Sequence, residues 1–195
     1  MRIRKTWLFA VLPIIVILFT RTAWDTKVPI IPIVLFIVGL HFAGIAALGR
    51  LWCSLYIAGN KDSKLVQLGP YSLCRNPLYF FSFLGALGVG MATKTFTFPI
   101  VLGISFLLYY PSVIRKEEAR LKAKFQGEYE NYCAKVPRFF PHHTAFEEPK
   151  ACQINPRIYR KHIFSALWFI LIVGWLEFFE KLHQLGWVPV YFHIY

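Results

Sequence analysis

The sequence predicts an all-α, integral membrane helical bundle of about five transmembrane helices with a cytosolic amphipathic helix added, and three observations predict it. Of 195 residues, 56% are hydrophobic and only 16% charged, against about 45–50% apolar and about a quarter charged in soluble domains. Apolar runs recur at the length that crosses a bilayer, about 20 residues for about 30 Å. Basic residues gather in alternate loops, which is the mark of a fixed orientation. The length suits one membrane domain over residues 1–195 and not two.

The runs follow in order. Trp7 to Thr20 is apolar but short, and reaches Trp24 only if Arg21 snorkels to the interface. Arg2, Arg4 and Lys5 precede it as they would a signal peptide, yet Arg21-Thr22-Ala23-Trp24 offers no small-x-small cleavage site, so a retained span is expected. Val28 to Leu48 is full length, interrupted by Pro29, Pro32 and His41. Leu78 to Thr93 and Thr95 to Ile114 flank Lys94 and read as a helical hairpin. Ile163 to Phe179 is the last, closed by Glu177 and Glu180.

Five spans put the N-terminus, residues 49–77 and residues 115–162 on one side. Those segments hold 18 of the 22 Lys and Arg, leaving Arg21, Lys27, Lys94 and Lys181 opposite. The N-terminus is therefore expected in the cytosol, at the inner membrane if the source is bacterial. The net charge of +12 then faces anionic headgroups, which removes the need for a nucleic-acid partner. Four cysteines form no CxxC pair and no His-interleaved spacing, so neither a metal site nor a disulfide scaffold is expected. Gly85-Ala-Leu-Gly-Val-Gly90 looks like a dinucleotide loop but lies inside an apolar run with no strand before it. Ala86 and Gly90 suit close helix packing instead.

Two cytosolic segments carry chemistry. The first is Gly69-Pro70-Tyr71-Ser72-Leu73-Cys74-Arg75-Asn76-Pro77-Leu78-Tyr79. Gly-Pro makes a turn, and Pro77 suits the first turn of the following helix. Arg75, Asn76 and Tyr79 thus meet the membrane surface at a helix N-terminus, where unpaired N–H groups attract an anion. A plain helix start with an interfacial tyrosine is the equal alternative. In the second segment, Leu121, Phe125, Tyr129, Tyr132 and Val136 make one apolar stripe on a helix expected to lie along the membrane surface. Glu117 and Glu118 sit a turn above that stripe, with Arg115, Lys116 and Arg120 at hand for solvated ion pairs. A ligand-binding role and such a pairing stand level on these residues alone. His41 suits a helix–helix hydrogen bond, His142-His143 a linker start, and Cys74 has no neighbouring His to make it a nucleophile.

In this order, separated by a hairpin, the segments resemble the isoprenylcysteine carboxyl methyltransferase and phospholipid methyltransferase superfamily. The matching residues are Gly69-Pro70-Tyr71, Arg75, Pro77 and Tyr79, then Glu117-Glu118, Leu121, Phe125, Tyr129, Tyr132 and Val136-Pro137-Arg138. Gly49-Arg50-Leu51-Trp52 resembles the Arg-x-Trp region before them. The family usually has His where Asn76 stands, and Gly directly after Phe where Gln126 intervenes before Gly127. The resemblance covers residues 39–141, with 142–162 as a cytosolic linker and 163–195 as an extra C-terminal span.

It implies an integral-membrane methyltransferase that uses S-adenosylmethionine on a lipid or lipidated acceptor taken from the bilayer, without nucleic acid or metal. Isoprenylcysteine carboxylate and phospholipid are both open as acceptors. By motif match, Tyr71, Arg75, Asn76, Tyr79, Glu117, Glu118 and Arg138 would hold the cofactor, and Arg75 and Glu117 would be catalytic. An NADPH-dependent reductase of the sterol type and a non-catalytic membrane scaffold or transporter component are the alternatives.

Overall fold

The computed structural model describes residues 19–59, 63–142 and 146–195; the first expected span lies outside the described residues except at its end. Among the described residues, six helices and two short strands follow one another. They are β1 (Thr20–Thr22), α1 (Trp24–Lys27), α2 (Ile30–Ile57), α3 (Pro70–Leu73), α4 (Pro77–Ala92), α5 (Thr97–Lys135), α6 (Pro156–Gln184) and β2 (Phe192–Ile194). Three of them, α2, α5 and α6, are long and apolar enough to cross a membrane, while α4 is a shorter apolar helix of 16 residues. Leu, Ile, Phe and Trp side chains stand outward along all three, with Leu108, Phe164 and Trp168 more than half exposed. Such faces belong against lipid.

Small residues decide how the bundle closes. A Cβ on Gly88 would lie 2.7 Å from the backbone nitrogen of Ala43, and one on Gly39 2.7 Å from the carbonyl oxygen of Gly88. Helices α2 and α4 thus touch backbone to backbone. Ala43, Ala92 and Val173 form the buried centre of this contact, and α6 lies across both helices. Ala86 and Gly90 do not share a partner: Gly90 abuts Pro99 on α5, while Ala86 faces a cleft bordered by α6.

The expected surface helix does not begin where the hairpin arm ends. Helix α5 runs on from that arm, breaks at Gln126, whose φ of 41° departs from the helix, and resumes as a second helical stretch to Lys135. The break falls on one of the two residues at which this chain departs from the family pattern. Nor is the apolar stripe left bare for a membrane surface. Tyr129, Tyr132 and Val136 are buried with Leu65, and Leu121 and Phe125 pack beside them. The stripe meets the loop between α2 and α3 because that loop offers a nearer apolar partner.

The 142–162 stretch is likewise sewn down. Gly69 N–H donates to the Glu147 carbonyl at 2.7 Å, His142 N–H to Leu73 at 3.0 Å, and Asn155 N–H to Ala58 at 3.0 Å. Asn155 then caps α6, its side-chain oxygen accepting from the N–H groups of Arg157 and Ile158, with Pro156 in the first turn. At the other end of the bundle, β1 and β2 pair in parallel, Arg21 opposite His193. Lys94 there forms ion pairs with Glu177 at 2.8 Å and Glu180 at 2.6 Å. Among the described residues, Ala58, Gly69 and Leu73 thus lie with His142, Glu147 and Asn155 at one end, and Lys94 lies with Glu177 and Glu180 at the other.

Candidate active site

Gly69 opens the site. Its φ of 63° suits glycine, and a Cβ there would lie 2.2 Å from the Tyr56 ring. Pro70 then starts α3, whose single turn sets Tyr71 inward, and Arg75 N–H donates to the Pro137 carbonyl at 2.8 Å. This bond brings the first segment against the end of the second.

Asn76 precedes Pro77 but does not cap α4 with its side chain. Its amide nitrogen donates instead to Glu118 Oε1 at 3.1 Å and to the Arg138 carbonyl oxygen at 3.0 Å. Both partners are acceptors, so the nitrogen must be the end that faces them. Glu118 Oε2 in turn meets Arg138 Nη2 at 2.7 Å. A neutral imidazole carries one N–H and could serve only one of these two acceptors, which gives the asparagine a physical reason. The backbone carbonyl of Asn76 accepts from Tyr79 and Phe80 N–H, both at 3.1 Å. Those two N–H groups are therefore not left for an anion, and the positive charge at this helix start is that of Arg75.

Arg75 points its Nη1 at Cys133 Sγ, and its Nε is buried without a hydrogen-bond partner. Glu117, more exposed than Glu118, pairs with Arg120 Nη2 at 2.7 Å. A solvated ion pair within the helix thus forms at Glu117, with Arg120, whereas Glu118, expected to pair with Arg115 three residues before it, pairs across the structure with Arg138. Tyr132 O–H donates to the Tyr71 carbonyl at 2.7 Å, closing the floor. Burial, above all, pushes the Tyr71 phenol well above its usual range, with Cys53, Tyr132, Cys74 and Glu117 adding to it. It remains a neutral hydroxyl at physiological pH. Burial pushes the Cys74 thiol up to about 12, so it is inert rather than nucleophilic.

Between the two segments lies a cavity of about 180 Å³. Tyr71, Arg75, Asn76, Tyr79 and Glu117 line it, together with Lys64, Leu65, Val66, Arg120, Leu121 and Tyr132. Glu118 and Arg138 do not line it; they stand behind Asn76 and hold it. The lining from Lys64 to Val66 has no signature in the sequence. Tyr132 is legible in the apolar stripe and in the family pattern, though neither marks it as a cavity residue.

The phospholipid methyltransferase family model matches residues 29–128. That stretch holds α2, α4, the Gly-Pro-Tyr segment and the Glu117-Glu118 pair, and stops short of Arg138 and α6. The nickel-cobalt-cadmium resistance protein NccN of Alcaligenes xylosoxydans xylosoxydans is 33% identical over 186 residues, covering 95% of this chain and 86% of its own. The cobalt-zinc-cadmium resistance protein CzcN of Cupriavidus metallidurans is 36% identical over 170 residues, covering 87% and 77%. No solved structure matches. A model spanning half the chain, over the segments that build the cavity, places this membrane protein in the phospholipid methyltransferase family.

Proposed function

We propose that the protein transfers a methyl group from S-adenosylmethionine to a lipophilic acceptor in the membrane. The observation that carries this reading is the cavity at the junction of the two motif segments, with Arg75 on one wall and Glu117 on another. Its donor set fits the cofactor in kind. The buried, unpartnered Nε of Arg75 is a site for the methionine carboxylate. Glu117 suits the amino group or the ribose hydroxyls, and Leu65, Val66, Leu78 and Leu121 supply apolar wall for the base.

When bound, S-adenosylmethionine supplies a methyl group on a positively charged sulfur. The chain's own contribution is position and exclusion of water. Tyr71 and Tyr79 close the cavity with neutral aromatic rings, Arg75 and Glu117 orient the two polar ends, and Asn76, Glu118 and Arg138 hold the Arg75 segment against α5. Arg75 and Glu117 stay the residues proposed to act in catalysis, and the other five are proposed cofactor contacts or their supports.

The relatives' names attach them to nickel, cobalt, zinc and cadmium resistance. Among the described residues no three His, Cys, Asp or Glu side chains gather as metal ligands do. We connect this chain to such tolerance through the methylated membrane component. The test is incubation of membranes containing the protein with methyl-labelled S-adenosylmethionine. Label should enter the lipid-soluble fraction and be lost in Arg75→Ala and Glu117→Ala, and metal tolerance of the host should fall with it. Equal labelling with and without the protein overturns the reading.

A further inference from the structure

We propose that a second cavity, around Arg50, receives the anionic group of the lipophilic acceptor: a phosphate or carboxylate carried on an apolar tail. Arg50 lies on α2, twenty residues beyond Ile30, a rise of about 30 Å and thus about one hydrocarbon thickness. That depth is where a lipid's charged head sits.

The guanidinium is held by neutral groups. Nη1 donates to Ser82 of α4 and Nη2 to Ser165 of α6 at 2.9 Å, while the Phe169 ring lies 5.7 Å away. Its Nε is buried and unpartnered. Among the described residues the arginine ion pairs are those of Arg21, Arg120 and Arg138, so no carboxylate neutralises Arg50. A buried guanidinium N–H left without an acceptor is costly, and an arriving anion relieves that cost.

The space beside it is about 520 Å³, within the range of ordinary ligand sites, about 300–1,000 Å³. Ala86 leaves room, Trp168 and Phe106 offer apolar surface, and Tyr110 forms the inner wall. The Tyr110 ring packs 5.5 Å from that of Tyr79, which lines the Arg75 cavity. One aromatic pair therefore separates the two spaces. Helix α6, outside the family-matched stretch, supplies Ser165, Trp168 and Phe169, so it is the element that selects the acceptor.

As an acceptor site the cleft rests on the methyl-transfer reading; as an anion-binding site it does not, and the test measures binding with no cofactor present. The purified full chain in dodecyl maltoside is melted with dodecyl phosphate or with inorganic phosphate. At ten times Kd, dodecyl phosphate should raise Tm by about 3–6 °C, and inorganic phosphate should not. Arg50→Gln should abolish the rise. Ser105→Phe, which fills the cleft from α5 and keeps Arg50, Ser82 and Ser165 in the sequence, should abolish it too and decides the matter if Arg50→Gln does not fold. A rise preserved in Ser105→Phe, an equal rise with inorganic phosphate, or no rise in the unmodified protein overturns the proposal. Binding seen here without label transfer in the membrane assay would sink methyl transfer and leave the cleft standing.

Discussion

The two ends of the helical bundle handle charge in opposite ways. At the β1–β2 end, Lys94 is clamped between Glu177 and Glu180 with its side chain 12% exposed. Trp24 packs edge-on to both Phe96 and Tyr195, tying the chain terminus to the hairpin turn. At the motif end, Glu118 is spent on Asn76 and Arg138, but Arg75 keeps a buried N–H without an acceptor and Glu117 stays at the cavity wall. A closed charge cluster fastens helices together, whereas an arginine N–H left without an acceptor beside a cavity suits the ligand proposed above. On that reading, stability and binding are separable by position along the same helices.

Substituting one charge at each end breaks that comparison if it is false. Arg75→Ala should weaken S-adenosylmethionine binding by about 1.5–3 kcal/mol, roughly 10–150-fold in Kd, the usual worth of a hydrogen bond to a charged group. Its Tm should change by less than about 3 °C. Titration calorimetry with S-adenosylhomocysteine checks the first and a melt the second. A large loss of Tm with unchanged Kd would make Arg75 a structural residue.

Lys94→Met is the counterpart. Removing the cation leaves two carboxylates facing each other, and breaking a buried pair costs about 3–5 kcal/mol. Partial exposure of Glu177 and Glu180 reduces this to about 2 kcal/mol, a Tm fall of about 4–8 °C. Lys94 already has a φ of 62°, and Met shares that backbone cost, so the substitution isolates charge. Cofactor Kd should not move.

A finer instrument is Asn76→His, which restores the family's usual residue. The imidazole must satisfy Glu118 and the Arg138 carbonyl, and only its protonated form has two N–H donors. Glu118 would raise its pKa above the usual 6.5. The network would then hold below that pKa and loosen as pH rises through it, at a cost of about 1 kcal/mol. Cofactor affinity in the variant should fall between about pH 6 and 8, where the unmodified protein, with no titrating group at this position, should not follow it. Parallel profiles would show that the Asn76 contacts do not govern the cavity.

The same contrast marks what the sequence could and could not disclose. Hydropathy places α2, α4, α5 and α6, because a bilayer demands long apolar runs and nothing else produces them. The Gly69-Pro70 turn and the helix start at Pro77 are legible as local backbone chemistry. The course of residues 115–136 is not, because an apolar stripe fits a membrane surface and the Leu65 loop equally well. Only the long-range contact decides. The division of labour between Glu117 and Glu118 is equally hidden: adjacent residues point about 100° apart on a helix, so one reaches the cavity and the other Arg138. Pairing of Thr20–Thr22 with Phe192–Ile194 is non-local and leaves no mark in either segment.

Cysteine reactivity gives the smallest effect and samples the motif end directly. Cys152 is exposed, while Cys53 and Cys74 are buried. A maleimide at pH 8 should label Cys152 within minutes and leave Cys53 and Cys74 unlabelled until detergent unfolds the chain. For Cys74 the cause is burial, which moves its thiol from the ordinary 9.0 to about 12. A group whose folded pKa is raised contributes stability in full below its unfolded value. That contribution fades as pH climbs from about 9 toward 12, because the unfolded thiol ionises first. A Cys74→Ala variant should therefore lose less Tm between pH 8 and pH 10 than the unmodified protein. If Cys74 labels as fast as Cys152 at pH 8, the α3 turn is open to water, and the contrast between a dry floor and an exposed linker at the motif end is wrong.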